Sequence, residues 1–512
     1  MRGFWLRTLP LSILAGICIG LSGAPWEITS LGFFGPAFLL MAVMRAPDER
    51  PSARNGFAAG LIAATVTNTV ALYWVVNLLQ DFARFPLIAA VATGLLLWTA
   101  QGIGMGLAGA LAAALAAERR SSAWLALPAA LVVTFTLTPS LFPWRLAGTQ
   151  VPWTAWVQMA ELGGEPLADA CVALAGCGIA AAAFRFAAGA RRWRVPLAAG
   201  LAALLLPLVY GLVRLPQVSE ARAAAPRIRV GVVQPNVGIL EKRNPDLRFG
   251  HLRQLREMTR DLELRGAELV VWPETAYPFP IPRTRTHDST GPAQIVGGGV
   301  RGPVLAGAIT FDDRGHRYNS AVLVARDGRL LGISDKVQLL AFGEYVPLWD
   351  YIPPLQERFH RGLTPGYRPR VLECEGVRLA VLNCYEDVLA GYGLRVAQDD
   401  PGFLVNVTND AWFGDTSEPW LHQSMARLRS IETRRDLVRA VNTGVSSHTL
   451  ATGEDAIRTA TWEPAAFVAD VRLMSGKTPW VRLGDLTTPL AAGALLGAAL
   501  AFFVTARRRA RA

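Results

Sequence analysis

The sequence predicts a polytopic α-helical membrane domain of eight transmembrane helices that carries an α/β domain outside the cytoplasm. Three observations predict it. The chain of 512 residues is 52% hydrophobic and only 18% charged, with a mean hydropathy of +0.28, too apolar for an ordinary soluble protein. The apolar excess is confined to residues 1–216 and 488–506, whereas 226–480 alternates between strand and helix patterns. Arginines are also distributed unequally between alternate connections.

Apolar stretches near 9–24, 27–45, 55–79, 86–117, 122–140, 165–187, 195–213 and 488–506 can each cross a hydrocarbon core, which takes about 20 helical residues. The fourth is long enough to need a strong tilt or a continuation beyond the bilayer. The first has the look of a signal peptide, with Arg2 and Arg7 before it and Ser22-Gly23-Ala24 as a cleavage-like end, but is read as a retained span. With the N-terminus inside, 15 arginines fall on the cytoplasmic side and only Arg84 and Arg145 on short outer loops. That bias places 214–487 outside the cytoplasm and both termini inside. The net charge of +11 is then explained by anchoring to anionic lipid and needs no nucleic acid. The expected domains are 1–220 with seven helices, 221–482 as the outer domain, and 483–512 with the eighth helix and a basic tail.

Five cysteines are too few for a disulfide framework. Cys18, Cys171 and Cys177 fall in apolar spans as small buried hydrophobes. Cys374 and Cys384 flank a turn and an extended strand, so their sulfurs stand about 25 Å apart, too far for a bridge.

In the outer domain, strands are expected at 228–236, 267–274, 303–310, 377–387, 403–414 and 465–473. A hairpin over 318–336 turns at Asp327-Gly328, a helix covers 249–266, and 422–444 holds a helix with a further strand. The result is a layered α/β sandwich with functional groups at strand ends. Three such ends offer Glu274 in ELVVWPET, Lys336 in LLGISDKVQLLAFGE and Cys384 in VRLAVLNCYED. A carboxylate can take a thiol proton, and an ammonium favours a thiolate and stabilises an oxyanion. Trp272-Pro273 forces the chain to be extended before Glu274. The chain uses 48 arginines but only Lys242, Lys336 and Lys477 as lysines, so lysine is kept where a compact, tunable ammonium matters. Each of the three also has a plain reading: a loop glutamate, a chance lysine, a buried thiol. The polar neighbours Tyr385, Glu386 and Asp387 argue against apolar burial of Cys384.

The stretches FPWRLAG (142–148), VVQPN (232–236), VVWPET (270–275), YNS (318–320), DKVQLLAFGEYVP (335–347), NCYED (383–387), NDAWFG (409–414) and ARLRSIETRRDLVRAVNTG (426–444) together resemble the apolipoprotein N-acyltransferases, the membrane-embedded branch of the nitrilase superfamily. The resemblance implies an αββα nitrilase-like outer domain and a Glu274-Lys336-Cys384 triad. It implies that Tyr385 and Glu386 shape the thiol pocket and that Glu344 is an additional essential glutamate holding the triad in register. Asn319 and Trp412 map onto further site-lining positions, with a turn residue and a lipid-surface anchor as their alternatives. The implied reaction moves an acyl chain from a membrane phospholipid, through a cysteine thioester with ping-pong kinetics, to the α-amino group of an S-diacylglyceryl cysteine on a lipoprotein. That is the last step of lipoprotein maturation, on the periplasmic face of a bacterial inner membrane. It needs no cofactor and no metal, and a monomer suffices.

Ala341, Ser334, Asn383 and Asp387 depart from the family pattern, and the Asp387 carboxylate is expected to oppose thiolate formation. Apolar loops at 74–86 and 348–359 are candidates for admitting acyl chains, or for ordinary packing at the bilayer. Three other readings remain: an anchored amidase, a transporter or receptor, and a silent paralogue. The amidase would need only one anchor. The transporter would need intramembrane ionisable groups, of which Asp169 and Glu161 are the chief ones.

Overall fold

The computed structural model describes residues 7–44, 50–118, 122–347, 349–351, 356 and 362–511. The chain divides into two units, Met1–Leu215 with Leu483–Ala512, and Pro216–Arg482.

The first unit is helical, and an apolar helix falls on every stretch singled out by hydropathy. Ala160–Ala187 and Arg194–Ala224 are long and apolar enough to cross a membrane, and four spans result if each of two bent pairs counts as one. Leu9–Leu21, Leu31–Met44, Ala123–Leu137 and Thr487–Ala501 are shorter apolar helices. The long fourth stretch is bent rather than simply tilted: Leu87–Gln101 and Ile103–Glu118 meet at 41°, with Gly102 at the break. The third bends by 58° between Ala53–Ala71 and Val75–Asp81. The expected loop at 74–86 is therefore mostly helix, with Trp74 buried. Most of 348–359 lies outside the described residues. Small residues set the helix spacing. A Cβ on Gly56 would stand 2.2 Å from the Gly109 carbonyl oxygen, and one on Gly60 2.1 Å from that of Met105. The two carboxylates singled out in helix Ala160–Ala187 are paired. Glu161 meets Arg214 at 2.6 Å, and Asp169 accepts the Ala147 N–H at 2.7 Å.

Among the described residues, the second unit is built from thirteen strands in two sheets. They are β1 (Arg227–Gln234), β2 (Leu269–Val271), β3 (Ile281–Pro282), β4 (Val304–Phe311), β5 (Arg317–Val324), β6 (Leu330–Asp335), β7 (Val371–Cys374), β8 (Val377–Asn383), β9 (Phe403–Thr408), β10 (Leu437–Val441), β11 (Ser447–Thr449), β12 (Asp455–Arg458) and β13 (Ala465–Arg472). One sheet runs β13-β1-β2-β4-β5-β6 with β3 on β4, and the other β12-β11-β10-β9-β8-β7. In each the central strands are parallel, β1-β2-β4 and β8-β9-β10, and the outer ones antiparallel, except β3, which runs parallel to β4.

Alternation along the strands decides the layers. Val230, Val232, Leu305 and Leu323 of one sheet meet Leu379, Val381, Phe403 and Val405 of the other in one buried core. The opposite face of the first sheet packs Val233, Val270 and Val304 against Leu252, Leu255 and Leu262 of helix Arg248–Leu264. The second sheet's outer face packs Ala380, Leu382 and Leu404 against Tyr392 and Val396 of helix Ala390–Ala397 and Ala426 of helix Glu418–Thr433. This gives the expected helix–sheet–sheet–helix layering. The short strands β3, β7, β11 and β12 and helix Ala390–Ala397 carry too few residues for a periodic signal and were not anticipated.

Candidate active site

Three strand ends deliver the chemistry. Glu274 stands three residues beyond β2, Lys336 follows β6, and Cys384 follows β8, so the two sheets contribute together. Gly307 on β4 makes room for the first. A Cβ there would lie 2.1 Å from the Pro273 carbonyl oxygen and 2.7 Å from the Glu274 Cα. Thr275 and Cys384 both have positive φ, 48° and 53°, which for residues with a side chain costs of order 1–3 kcal/mol. Asn406 of β9 holds the cysteine's backbone, its Nδ2 donating to the carbonyl oxygens of Cys384 at 2.8 Å and Leu382 at 3.1 Å.

The ammonium of Lys336 is buried between two carboxylates, 3.3 Å from Glu274 Oε1 and 2.8 Å from Glu344 Oε2. Asn319 Nδ2 donates to the same pair, at 2.6 Å to Glu274 Oε1 and 2.9 Å to Glu344 Oε1. Its Oδ1 accepts from Asn383 Nδ2 at 3.2 Å, reaching the residue before the thiol. Asn319 thus lies in β5 and not in a turn, and links both carboxylates to Asn383. Glu344 also accepts the Leu340 N–H at 2.9 Å. Tyr385 lies beneath the ammonium, its ring centroid 5.6 Å from Lys336 Nζ, and its hydroxyl donates to the Leu339 carbonyl at 3.2 Å.

Glu386 binds backbone. Its carboxylate accepts the N–H groups of Val337 at 2.7 Å, Gln338 at 2.9 Å and Asn383 at 2.8 Å. The chain after Lys336 is thereby tied to the turn bearing Cys384. Trp412 is half-buried in the turn Asp410–Trp412 beyond β9. Lys242, to which the sequence gave no role, donates from Nζ to the Glu274 carbonyl at 3.0 Å and to Thr275 Oγ1 at 2.7 Å. Its rarity as one of three lysines was the available signal.

Two expectations need correction. Cys384 is buried, 9% exposed, despite its polar neighbours in sequence, because those neighbours turn to partners of their own. Burial, with Glu274 adding to it, pushes the thiol up to about 12 against the pull of Lys336 and His422. Lys336 therefore does not make Cys384 a resting thiolate. For the ammonium, burial works downward, but Cys384, Glu274 and Glu344 outweigh it and hold its pKa well above the usual lysine value. The second correction concerns Asp387. Its carboxylate is engaged by Arg439 and by His422 Nε2, the latter at 2.8 Å, so its charge is answered where it stands rather than directed at the thiol. Cys374 and Cys384 are both free thiols.

The thiol's position sets a pH dependence. With a pKa of about 12, the thiolate fraction grows about tenfold per pH unit below that value. Alkylation of Cys384 by iodoacetamide, measured against Cys384→Ser to subtract the other cysteines, should therefore climb about tenfold per unit from pH 7 to pH 10. A plateau below pH 8 would instead reveal a resting ion pair.

Residues 15–178 match the family model described as Apolipoprotein N-acyltransferase N-terminal domain, and 229–476 match Carbon-nitrogen hydrolase. An apolipoprotein N-acyltransferase of Geobacter metallireducens is 30% identical over 97% of this chain and 95% of its own length. That of Allorhizobium ampelinum is 31% identical over 86% of this chain and 85% of its own length. Among solved structures, a nitrilase-superfamily amidase of Nesterenkonia is similar at 18% identity and a TM-score of 0.35, over 51% of this chain and 95% of that one.

Proposed function

Because the chain belongs to the apolipoprotein N-acyltransferase family, we propose that it N-acylates lipoproteins through a thioester on Cys384, with a membrane phospholipid as acyl donor. The observation that carries this reading is the buried Glu274–Lys336–Glu344 group, tied through Asn319 and Asn383 to a thiol presented at a strand end.

The resting thiol calls for a base at the moment of attack. Glu274 takes the proton as the Cys384 sulfur adds to the ester carbonyl, and the oxyanion is stabilised by Lys336 and nearby backbone N–H groups. Collapse expels the lysophospholipid, which takes the proton back from Glu274, and leaves the acyl group on sulfur. The α-amino group of a diacylglyceryl cysteine then attacks the thioester. Its proton passes to Glu274, the C–S bond breaks, and the thiol is restored. Glu344 and Asn319 keep Glu274 and Lys336 in register, so the cation faces the reacting carbonyl rather than swinging away.

In this reading residues 1–220 supply seven spans, 221–482 form the catalytic domain on the periplasmic face of the inner membrane, and 483–512 supply the eighth span. The arginine bias supports that orientation. The protein acts as a monomer with both lipid substrates drawn from the bilayer, which limits water's access to the thioester.

Intact mass of the detergent-purified protein after incubation with phospholipid tests the reading. A gain of one acyl chain that hydroxylamine removes is expected, absent in Cys384→Ser. A folded, lipid-exposed protein without the adduct would overturn it.

A further inference from the structure

A second set of buried titratable groups lies beside the turn that carries Cys384, and the acyl transfer does not use it. Asp410, Glu418 and His422 are 0%, 6% and 5% exposed. They come from the turn after β9 and the first turns of helix Glu418–Thr433. One donor atom from each lies within 4.8 Å of the others.

His422 decides what this group is for. Its Nε2 faces Asp387 Oδ1 at 2.8 Å, and Asp387 is in turn bound by Arg439. A carboxylate on Nε2 keeps a proton there, so Nδ1 is the nitrogen that can give its lone pair to a metal once its own proton leaves. Nδ1 faces Asp410 Oδ1 at 3.4 Å and Glu418 Oε1 at 3.7 Å. Moreover His422 Nδ1, both carboxylate oxygens of Asp410 and Glu418 Oε2 are buried without a hydrogen-bond partner. Such orphaned buried atoms are costly. The approach of Asp410 to the backbone is also built in, because a Cβ on Gly444 would lie 2.1 Å from its Oδ2.

We propose that Asp410, Glu418 and His422 form a site for one divalent transition-metal cation, with Asp387 as the carboxylate that orients the imidazole. Two carboxylates and an imidazole suit Mn²⁺ or Zn²⁺, and the carboxylate–histidine–metal arrangement is the usual way such a ligand is held. Without a metal, protons answer part of the carboxylates' charge. Burial and Asp410 hold the Glu418 carboxyl well above the usual carboxylate range, and against burial Asp410 and Glu418 hold His422 at about 9. A proton on His422 Nδ1 serves Asp410 at 3.4 Å and Glu418 at 3.7 Å and leaves Asp410 Oδ2 and Glu418 Oε2 as they are. A divalent cation would take the place of these protons. Donors on one ion at about 2.1 Å lie at most about 4.2 Å apart, so binding draws this set together by about half an ångström. The ion would brace the Cys384–Val388 turn through Asp387 without touching the reacting atoms.

The test uses the full-length protein in detergent, with any affinity tag removed, dialysed against EDTA. Mn²⁺ binding is then followed by the loss of the free-ion paramagnetic resonance signal. One Mn²⁺ per chain is expected, with affinity at least tenfold weaker in Glu418→Gln and in His422→Gln. Mn²⁺ should raise the melting temperature of the wild type alone. Metal-free Glu418→Gln should melt no lower than the metal-free wild type, because it replaces a buried carboxyl by a neutral amide of the same shape; His422→Gln serves if that variant does not fold. No bound Mn²⁺ or Zn²⁺, or binding untouched by both substitutions, overturns the site and leaves the shared proton as the explanation. Because the readout is metal binding, it stands apart from whether acyl transfer occurs.

Discussion

Lys336→Met is expected to lower acyl-enzyme formation by a factor of about 10²–10³, the loss seen when a donor to a developing oxyanion is removed. The same change should destabilise the outer domain by about 3–5 kcal/mol, because it strands charges that were buried as partners. Both follow from one geometry: the ammonium lies 3.3 Å from Glu274 and 2.8 Å from Glu344, and the Asn319 amide alone would be left between the two carboxylates. The two losses can be separated. In Lys336→Met/Glu344→Gln one stranded charge is gone, so stability should largely return while thioester formation stays at the level of the single variant. Recovery of both would reduce Lys336 to a structural counter-ion. Arginine should not substitute for it, since a planar fork does not fit a site shaped for a point charge. Chemical denaturation and a hydroxylamine-sensitive acylation assay, run on the same preparations, give the two readouts.

Gly307→Ala should cost about 3 kcal/mol, as forced overpacking does, although the change adds only one methyl group in the middle of a strand. The new carbon would sit 2.1 Å from the Pro273 carbonyl and 2.7 Å from the Glu274 Cα. Both are backbone atoms, so no side chain can swing aside to relieve the clash. The displaced element carries Glu274, the proposed base. Thioester formation should therefore fall further than the population of folded protein does, and iodoacetamide labelling of Cys384 should be altered less. If activity merely tracks the folded fraction, the Glu274 loop has room that the packing does not suggest.

The parts of this site that the sequence made legible are those that sit at the ends of strong apolar runs. Glu274, Lys336 and Cys384 each terminate such a run, and lysine scarcity independently marked Lys336. The relations between them were not legible, because they are made across the two sheets by side chains far apart in sequence. Asn319 and Glu344 were reached only through resemblance. Lys242 stood among the three lysines without a role because its partner, the Glu274 carbonyl, is a backbone atom with no sequence signature. Asp387 was misjudged for the same reason: a carboxylate three residues from a thiol reads as an opponent until Arg439 and His422 are seen to hold it. The orphaned set at Asp410, Glu418 and His422 escaped notice because Glu418 and His422, four apart on one helix face, read as an ordinary helix pair until the fold brings Asp410 beside them. Among the helices, hydropathy found each apolar stretch but not where it bends, which depends on packing against neighbours.

Since β2 and β6 belong to one sheet and β8 to the other, the proposed base and cation are mounted on a different slab from the proposed nucleophile. Glu386 is a rivet between them, beside the Asn319–Asn383 bond, reaching from the Cys384 turn to the amides of Val337 and Gln338. Catalysis thus gauges how faithfully the slabs are aligned. On warming, the first casualty should be that alignment, with turnover fading while the circular dichroism of either sheet is still intact.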